Sequence, residues 1–229
     1  NSPSHPPRRS GVGLRFERKF LVAKEKTADD VVRHIQSGNR VFIQGGASTP
    51  FKLIEALLEQ ANRLRNVELI HLHTMGEARY ASAEFSKSFL VSNLFVGANM
   101  RARMGLDNVD YLPCFLSEIP ALFRSGKRPI DVALIHVSTP DSHGFCTLGT
   151  SVDVARAAVD SARLILAQVN RHMPRVHGDG FVHIDQIDHF VEVDDALPET
   201  SKPILSEDEK VIGKYAAELI EDGSTLQVG

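Results

Sequence analysis

The sequence predicts an α/β fold, an open and largely parallel sheet flanked by helices on both faces. From about residue 20 onward, β-rich apolar runs alternate with segments of helical periodicity, and this alternation is typical of α/β proteins. The run 132–135 is apolar at every position, as expected of a strand that is covered on both sides. The chain has 229 residues, 42% of them apolar, and is therefore long enough to bury a full core.

Capping and periodicity place the first two helices. Thr27 with Asp30 three residues later predicts a helix start, and Gly38 predicts its end. Pro50 is expected at the first position of the second helix, with Thr49 as its cap. One face of that helix should be buried, because apolar residues recur at helical spacing at Leu53, Ile54, Leu57 and Leu58.

The remaining elements follow from the same signals. Helices are expected over 118–124, 152–162 and 207–221. The last helix has Ser206 and Glu209 as a capping box and Gly223 beyond its end. Strands are expected over 40–44, 67–73, 90–96, 132–137, 164–169 and 191–193.

Composition and charge exclude several functional classes. The net charge of −3 provides no bulk attraction for nucleic acid or for an anionic membrane, and no apolar run approaches the roughly 20 residues of a spanning helix. Cys114 and Cys146 cannot form a disulfide framework, which favours a reducing compartment and hence the cytoplasm. Residues 1–19 are proline-rich and basic. They are expected to be a flexible leader, or a mitochondrial targeting remnant that would make the matrix the alternative location.

The strongest local signal is the loop after the strand at 40–44. Gly45 and Gly46 separate this strand from a helix that begins near Pro50. Backbone N–H groups at such a turn face outward beside the positive end of the helix dipole, where they can bind an anion or a developing oxyanion. The loop lacks the glycines of a dinucleotide fingerprint and the lysine of a phosphate-binding loop. A tight turn that needs glycine only for its geometry is the alternative.

A second candidate follows the apolar strand at 132–137. Ser138, Asp141 and His143 are the residue types of a catalytic triad, but their order and spacing match no nucleophile elbow. The alternative is a structural turn, because the dipeptides Pro140–Asp141 and His143–Gly144 both favour turns. Both interpretations therefore remain open.

Metal and thiol chemistry have weaker support. His71 and His73 alternate on one predicted strand and should share a face, whereas His177, His183 and His189 recur among acidic residues. Neither His-x-x-x-His nor Cys-x-x-Cys is present, so we expect no metal site. The two cysteines have no adjacent base in the sequence and are expected to be inert.

Several of these segments together resemble the acetyl-CoA hydrolase/CoA-transferase family, in particular its class I members that act on 4-hydroxybutyrate or acetate. The similarity runs from about residue 20 to the end and rests on motifs in the family's order. These motifs are residues 44–50, 71–76, 95–101, 137–149, 183–188 and 222–229.

The resemblance implies an enzyme of two α/β domains with the active site between them. In this family a glutamate attacks an acyl-CoA, and CoA is carried as a glutamyl-CoA thioester until a carboxylic acid takes it. The glutamate of the family motif is expected beyond Gly229, so residues 20–229 would form an N-terminal domain without a catalytic nucleophile of their own. The implied partners are acyl-CoA, a short carboxylate, the second domain and a further copy in a homo-oligomer such as a homodimer, with coenzyme A as substrate and no metal.

On this basis the candidate oxyanion- or substrate-binding residues are Gly45, Gly46, Ser48, Asn99, Arg101, Pro140, Asp141 and His143. Hydrolysis of the acyl-CoA by water is the enzymatic alternative, because both reactions share an intermediate. A binding or assembly module that has kept the fold without the nucleophile is the alternative outside catalysis.

Overall fold

A computed structural model describes residues 23–24, 27–200 and 204–227, so the predicted leader lies outside the described residues. The chain divides into two units, residues 1–198 and 199–229. The first unit contains the sheet and all the candidate site residues. Its strands, in chain order, are β1 (Ala23–Lys24), β2 (Arg40–Ile43), β3 (Val67–His71), β4 (Phe89–Asn93), β5 (Val109–Tyr111), β6 (Val132–Ser138), β7 (Phe145–Thr147), β8 (Leu164–Asn170), β9 (Phe181–His183) and β10 (His189–Val193).

Eight strands form one sheet in the order β1-β10-β8-β6-β2-β3-β4-β5. Every pairing in this sheet is parallel. β7 and β9 form a separate antiparallel pair. The predicted parallel α/β fold is therefore confirmed.

The direction in which the strands are added reverses beside β2. The chain runs from β2 through β3 and β4 to β5 at one edge, and then returns to place β6 on the other side of β2. In open α/β sheets, ligands bind outside the carboxyl ends of the strands at such a switch point. The loops that follow β2 and β6 are therefore the first places to examine for a site.

Among the residues that the structure describes, the α-helices that accompany the sheet are α1 (Ala28–Val32), α2 (Phe51–Glu59), α3 (Ala98–Arg101), α4 (Ile119–Arg124) and α5 (Ala155–Ser161). The pair α1 and α2 packs on one face, in a core that includes Val41 and Leu69. The pair α4 and α5 packs on the other face, in a core that includes Phe42 and Ala133. Neighbouring residues of β2 thus point into different cores, which explains why its sequence is apolar without alternation.

Most element predictions are confirmed, with shifts at the ends. Thr27 caps α1 by accepting a hydrogen bond from the Asp30 N–H at 3.2 Å, and the predicted face of α2 is buried. The predicted cap of α2 is wrong: Pro50 occupies the cap position, and the Thr49 hydroxyl bonds elsewhere. The strands predicted over 67–73 and 90–96 end earlier, at His71 and Asn93. Short elements that were not predicted are β1, α3, β5, β7 and β9.

The second unit contains α6 (Glu207–Glu218). Its predicted capping box is confirmed: the Glu209 N–H donates to the Ser206 hydroxyl at 3.2 Å, and the Ser206 N–H donates to the Glu209 carboxylate at 2.7 Å. Gly223 follows with a φ of 83°. The helix ends at Glu218, earlier than the predicted Glu221.

Candidate functional site

The loop after β2, residues 45–50, is here called the glycine loop, and it pairs with the segment after β3. The Gly46 N–H donates to the His73 carbonyl at 2.7 Å, and Gly46 forms an isolated parallel bridge with Thr74. The Thr49 hydroxyl donates to the Gly46 carbonyl at 2.7 Å and accepts from the Met75 N–H at 3.1 Å. The expectation that the glycine amides face outward is therefore wrong for Gly46, whose amide is used to join two loops.

Glycine is needed at both positions of this turn, for different reasons. A Cβ at position 45 would lie closer than 3.0 Å to the His73 carbonyl oxygen, a backbone atom that cannot rotate away. Gly46 has a φ of 56°, in the left-handed region where side chains other than glycine are strained. The close approach of the two loops thus depends on the absence of a side chain.

Three backbone N–H groups of the glycine loop have no acceptor. Among the residues that the structure describes, none accepts a hydrogen bond from the N–H groups of Gly45, Ala47 and Ser48. These amides lie on the N-terminal side of α2, a helix of nine residues, where the helix dipole favours negative charge. Gly45 and Ser48 are buried, whereas Ala47 is partly exposed, so Ala47 is the residue of the three that an oxyanion or a carboxylate can reach.

A buried glutamine fixes the start of the glycine loop. The Gln44 side-chain N–H groups donate to the carbonyls of Leu148 and Ser151, each at 2.8 Å, and its side-chain oxygen accepts from the His136 N–H at 2.8 Å. Gln44 is fully buried, so these bonds have no solvent to replace them. Sequence reasoning missed this residue, although a polar side chain at the end of an apolar strand is a usable signal.

Ser48 is also committed to the protein. Its hydroxyl donates to the Leu148 carbonyl at 3.2 Å and lies 2.9 Å from the Thr150 hydroxyl. The whole residue is buried, so the Ser48 hydroxyl is not free for a ligand and its backbone N–H is covered as well. Segment 148–151 therefore contacts the glycine loop, as the segment after β3 also does.

Asn99 belongs to the same assembly, whereas Arg101 does not. The Asn99 side-chain amide donates to the carbonyls of Thr74 and Gly76, each at 3.0 Å. It therefore holds the segment after β3 that in turn contacts the glycine loop. Arg101 is exposed, and none of the described residues forms a hydrogen bond or ion pair with its side chain.

Thr74 is held by a buried chain of hydrogen bonds that continues to Tyr80 and His71. The Thr74 hydroxyl lies 2.7 Å from the Tyr80 hydroxyl, which lies 3.2 Å from Nε2 of His71. Burial lowers the pKa of His71 to about 4, and the charge of nearby His73 acts in the same direction. Burial also raises the pKa of Tyr80 against the effect of its bond to Thr74. All three groups are therefore neutral at pH 7.

The two histidines predicted to share a strand face are separated by the strand end. His71 is the last residue of β3 and is fully buried, whereas His73 lies in the following loop and is exposed. Burial likewise lowers the pKa of His136, on β6, to about 4. Neutral buried histidines of this kind support neighbouring structure rather than carry charge to a ligand.

The turn at 139–144 is satisfied by its own surroundings. One Asp141 carboxylate oxygen accepts from the N–H groups of His143 and Phe145, each at 2.9 Å, and the other pairs with Arg175. The Phe145 N–H is the main cause that lowers the Asp141 pKa, with smaller contributions from the His143 N–H and from Arg175. The Ser138 hydroxyl accepts from the Thr147 N–H at 3.0 Å. These bonds form a turn and no triad.

The structure does not join this turn to the glycine loop. Pro140 and His143 are exposed, and no hydrogen bond or ion pair among the described residues links Asp141 or His143 to residues 45–50. Their assignment to a substrate site stays a prediction. The remaining histidine candidate here, His183, contacts the His143 carbonyl at 3.0 Å.

The described residues include neither an activated thiol nor a group of side chains that could hold a metal ion. Burial raises the pKa of the Cys146 thiol to about 12, and burial, with the Glu118 charge, raises that of Cys114. No group of three or more His, Cys, Asp or Glu side chains among the described residues could hold a metal ion. Within the same residues no helix has both the length and the apolar character needed to cross a bilayer.

Comparison with known proteins identifies a family that the sequence matches. Residues 13–201 match the family profile described as "Acetyl-CoA hydrolase/transferase N-terminal domain". The chain is 40% identical over 210 residues to the 4-hydroxybutyrate coenzyme A transferase of Clostridium kluyveri, covering 91% of this chain and 49% of that protein. It is 43% identical over 204 residues to the succinyl-CoA:acetate/propanoyl-CoA:succinate CoA transferase of Fasciola hepatica, covering 88% and 42%.

Solved structures agree with this. The 4-hydroxybutyrate CoA-transferase of Porphyromonas gingivalis superposes with a TM-score of 0.74 at 31% identity, covering 90% of this chain and 48% of that one. RipA from Yersinia pestis superposes with a TM-score of 0.84 at 28% identity, covering 90% and 51%. The chain therefore spans about half the length of the relatives it matches.

Proposed function

The chain belongs to the acetyl-CoA hydrolase/transferase family, where it matches the N-terminal domain, and from this premise we propose that it is the N-terminal domain of a CoA-transferase. The complete enzyme moves CoA between an acyl-CoA and a short carboxylic acid. The observation that carries the proposal is the glycine loop, which lies at the switch point of the sheet with the N–H groups of Ala47 and Ser48 unused. Anionic oxygens form at every step of such an exchange.

The proposed reaction has two halves and a covalent intermediate. A glutamate carboxylate attacks the acyl-CoA carbonyl, the C–S bond breaks, and an acyl-glutamyl anhydride forms as CoA thiolate leaves. The thiolate then attacks the glutamyl carbonyl, releasing the first carboxylate and leaving a glutamyl-CoA thioester. A second carboxylic acid reverses these steps and leaves as the new acyl-CoA. We place the glutamate in the half of such proteins that this chain does not span.

The role of this chain in that reaction is to stabilise charge and to form one wall. Each carbonyl attack places negative charge on an oxygen, and a preorganised N–H donor at a helix start can stabilise it. We assign this role first to the Ala47 N–H, because Gln44, Gly46 and Thr49 fix the loop around it. The candidate role of Gly45 and Gly46 is thus to permit the loop geometry, and that of Asn99 is to hold the segment next to it.

Transfer is tested by supplying the complete protein with acetyl-CoA and either butyrate or 4-hydroxybutyrate. We expect the new acyl-CoA to form with ping-pong kinetics, and a glutamyl adduct sensitive to hydroxylamine or borohydride to accumulate when acyl-CoA is given alone. Residues 1–229 by themselves should do neither. Transfer by the rigorously pure 1–229 chain would show that the nucleophile has been misplaced, and Glu192 would be the first glutamate to replace.

Hydrolysis of acyl-CoA is the second candidate, because the matching family is described as containing hydrolases as well as transferases. Release of free CoA at the same rate with and without an acceptor acid would identify the hydrolase. Absence of both activities in the folded complete protein would favour a binding or assembly module. A cytoplasmic location, with the mitochondrial matrix as the alternative, and a homo-oligomeric state also stay predictions.

A further inference from the structure

A cavity of about 260 Å³ lies beyond the carboxyl ends of β3, β4 and β5, next to the first turn of α4. Its floor is formed by Leu94 and Ile119, which are 3% and 0% exposed. Its rim is formed by Phe95, Tyr111 and Leu116, which are 52%, 44% and 60% exposed. Large apolar side chains gathered around an opening are unusual on a soluble surface and indicate a binding surface.

The cavity adjoins the glycine loop through one residue. His73 lines the cavity, and its backbone carbonyl accepts the Gly46 N–H at 2.7 Å. The His73 ring packs edge-on against Phe95, with the ring centroids 6.1 Å apart. A ligand whose charged end meets the unused amides of the glycine loop therefore has an apolar cavity on the neighbouring strand ends.

The size and chemistry of the cavity restrict its occupant. The described lining residues include no Asp, Glu, Lys or Arg, so a carboxylate or phosphate buried there would have no charged partner. Sites for drug-sized ligands typically have volumes of about 300 Å³ or more, and this cavity is smaller. Whole CoA is larger than a drug-sized ligand and does not fit. A short aliphatic chain satisfies both restrictions.

We propose that this cavity binds the aliphatic chain of the short acyl group or carboxylic acid, with the carboxyl or thioester carbon held at the glycine loop. The inference rests on the proposed function, because it assigns a part of the same site. Contacts made by the chain then set which acids react well. Each methylene that enters the cavity should strengthen binding about fourfold, the factor that corresponds to about 0.8 kcal/mol per buried CH₂.

The two cysteines provide a direct binding test that needs no turnover. Cys114 lines the cavity and is partly exposed, whereas Cys146 is buried elsewhere and serves as the unreactive internal control. In the complete protein, we expect N-ethylmaleimide to label Cys114 at mildly alkaline pH. Acetate, propionate, butyrate and pentanoate should slow the labelling with half-protecting concentrations that fall about fourfold per methylene.

Three outcomes of the labelling experiment would overturn the inference. Equal protection by acetate and pentanoate would show that the chain does not enter the cavity. Equal protection by CoA without an acyl group would assign the cavity to the pantetheine arm. Failure of Cys114 to react in the ligand-free complete protein would mean that the rest of the protein covers the cavity.

Substitutions provide the second test, read as a ratio between two substrates. Leu94→Phe fills the cavity floor and should lower the kcat/KM ratio for butyryl-CoA over acetyl-CoA at least tenfold. Leu116→Ala removes a rim contact at an exposed position where misfolding is not expected, and should lower the ratio several-fold. The matched control, Leu90→Phe, changes an exposed leucine on β4 that does not line the cavity, and should leave the ratio unchanged.

The two levels of the proposal fail in distinguishable ways. If CoA transfer is absent, neither donor reacts, but chain-dependent protection of Cys114 still reports the cavity. If only the cavity assignment is wrong, transfer persists, protection of Cys114 does not depend on chain length, and Leu94→Phe leaves the substrate ratio at its wild-type value.

Discussion

The glycine loop and the 139–144 turn are both rich in site-like residues, but they use them differently. In the glycine loop, hydrogen bonds from Gln44, Gly46 and Ser48 reach segments 73–75 and 148–151, which are distant in sequence. In the turn, Asp141 bonds to residues two and four positions later and to Arg175, and the carbonyls of His143 and Gly144 accept from His183 and Ile184. Both regions are therefore joined to distant segments, but only the glycine loop is fixed through a fully buried side chain, that of the adjoining Gln44. A motif is therefore better judged by what its polar groups join than by its composition.

The largest expected effect on stability comes from Gln44. Gln44→Leu leaves the Leu148 and Ser151 carbonyls and the His136 N–H without their buried partner, so the free energy of unfolding should fall by about 3 kcal/mol or more. The matched variant beside the turn is Gln186→Leu. It removes one bond, from the His183 N–H at 3.2 Å, that solvent can replace, and it should cost less than about 1 kcal/mol.

Urea unfolding of both variants at pH 7 measures this difference. Equal losses would mean that the glycine loop is no more interlocked than the turn, and the comparison between the two regions would collapse.

The pH dependence of stability should also differ between the surroundings of the glycine loop and the 139–144 turn. The folded-state pKa values of His71 and His136 are lowered to about 4. Between pH 6.5 and 4 the unfolded chain therefore binds more protons than the folded protein, and stability decreases as the pH is lowered. By pH 5 each histidine should cost on the order of 2 kcal/mol. The Asp141 pKa is lowered from 3.8, so its stabilisation is present above that value and is lost only as the pH falls through the lower folded value.

Two variants assign these windows. His71→Gln retains a partner for Tyr80 and should flatten the loss between pH 6.5 and 5 in urea titrations. Asp141→Asn should lower stability above pH 4, and its difference from wild type should shrink as the pH falls through the lowered Asp141 pKa. An unchanged slope in His71→Gln would contradict the assignment of that loss to the buried histidine.

Gly45 gives the third contrast. In Gly45→Ala the new Cβ meets the His73 carbonyl oxygen, and one backbone must move. We expect a loss of about 1 to 3 kcal/mol. At Gly144, where φ is 82°, a Cβ would meet the His183 ring, a side chain that can move, so Gly144→Ala should cost mainly its backbone strain of about 1 to 2 kcal/mol.

Thermal unfolding measures both glycine variants. A larger loss in Gly144→Ala than in Gly45→Ala would show that the contact between the two loops tolerates displacement.

The sequence predicted the sheet and its helices because their signals are long and repeated. Apolar runs over β6 and β8 and the buried face of α2 leave few alternatives. The three-residue strands β5, β7 and β9 were missed, because runs of this length occur by chance and depend on pairing with distant segments.

The site was predicted at the level of segments but not of atoms. Segments 44–50, 71–76 and 95–101, which the sequence analysis singled out as motifs, contact one another in the structure. Which amide is free depends on partners across the fold: the Gly46 N–H is occupied by His73, and those of Ala47 and Ser48 are not. Gln44 was overlooked because its bonds go to residues more than 90 positions away, which no local pattern encodes.

The most direct test of the central claim is the kcat/KM for CoA transfer by the complete protein, measured per folded molecule, in Gly45→Ala and in the double variant Asp141→Asn/His143→Gln. If the glycine loop is the catalytic wall supplied by this chain, Gly45→Ala should lose at least tenfold, about 1.4 kcal/mol of transition-state stabilisation. The double variant should stay within about threefold of wild type. A tenfold loss in the double variant, with Gly45→Ala close to wild type, would place the site at the turn and contradict the account.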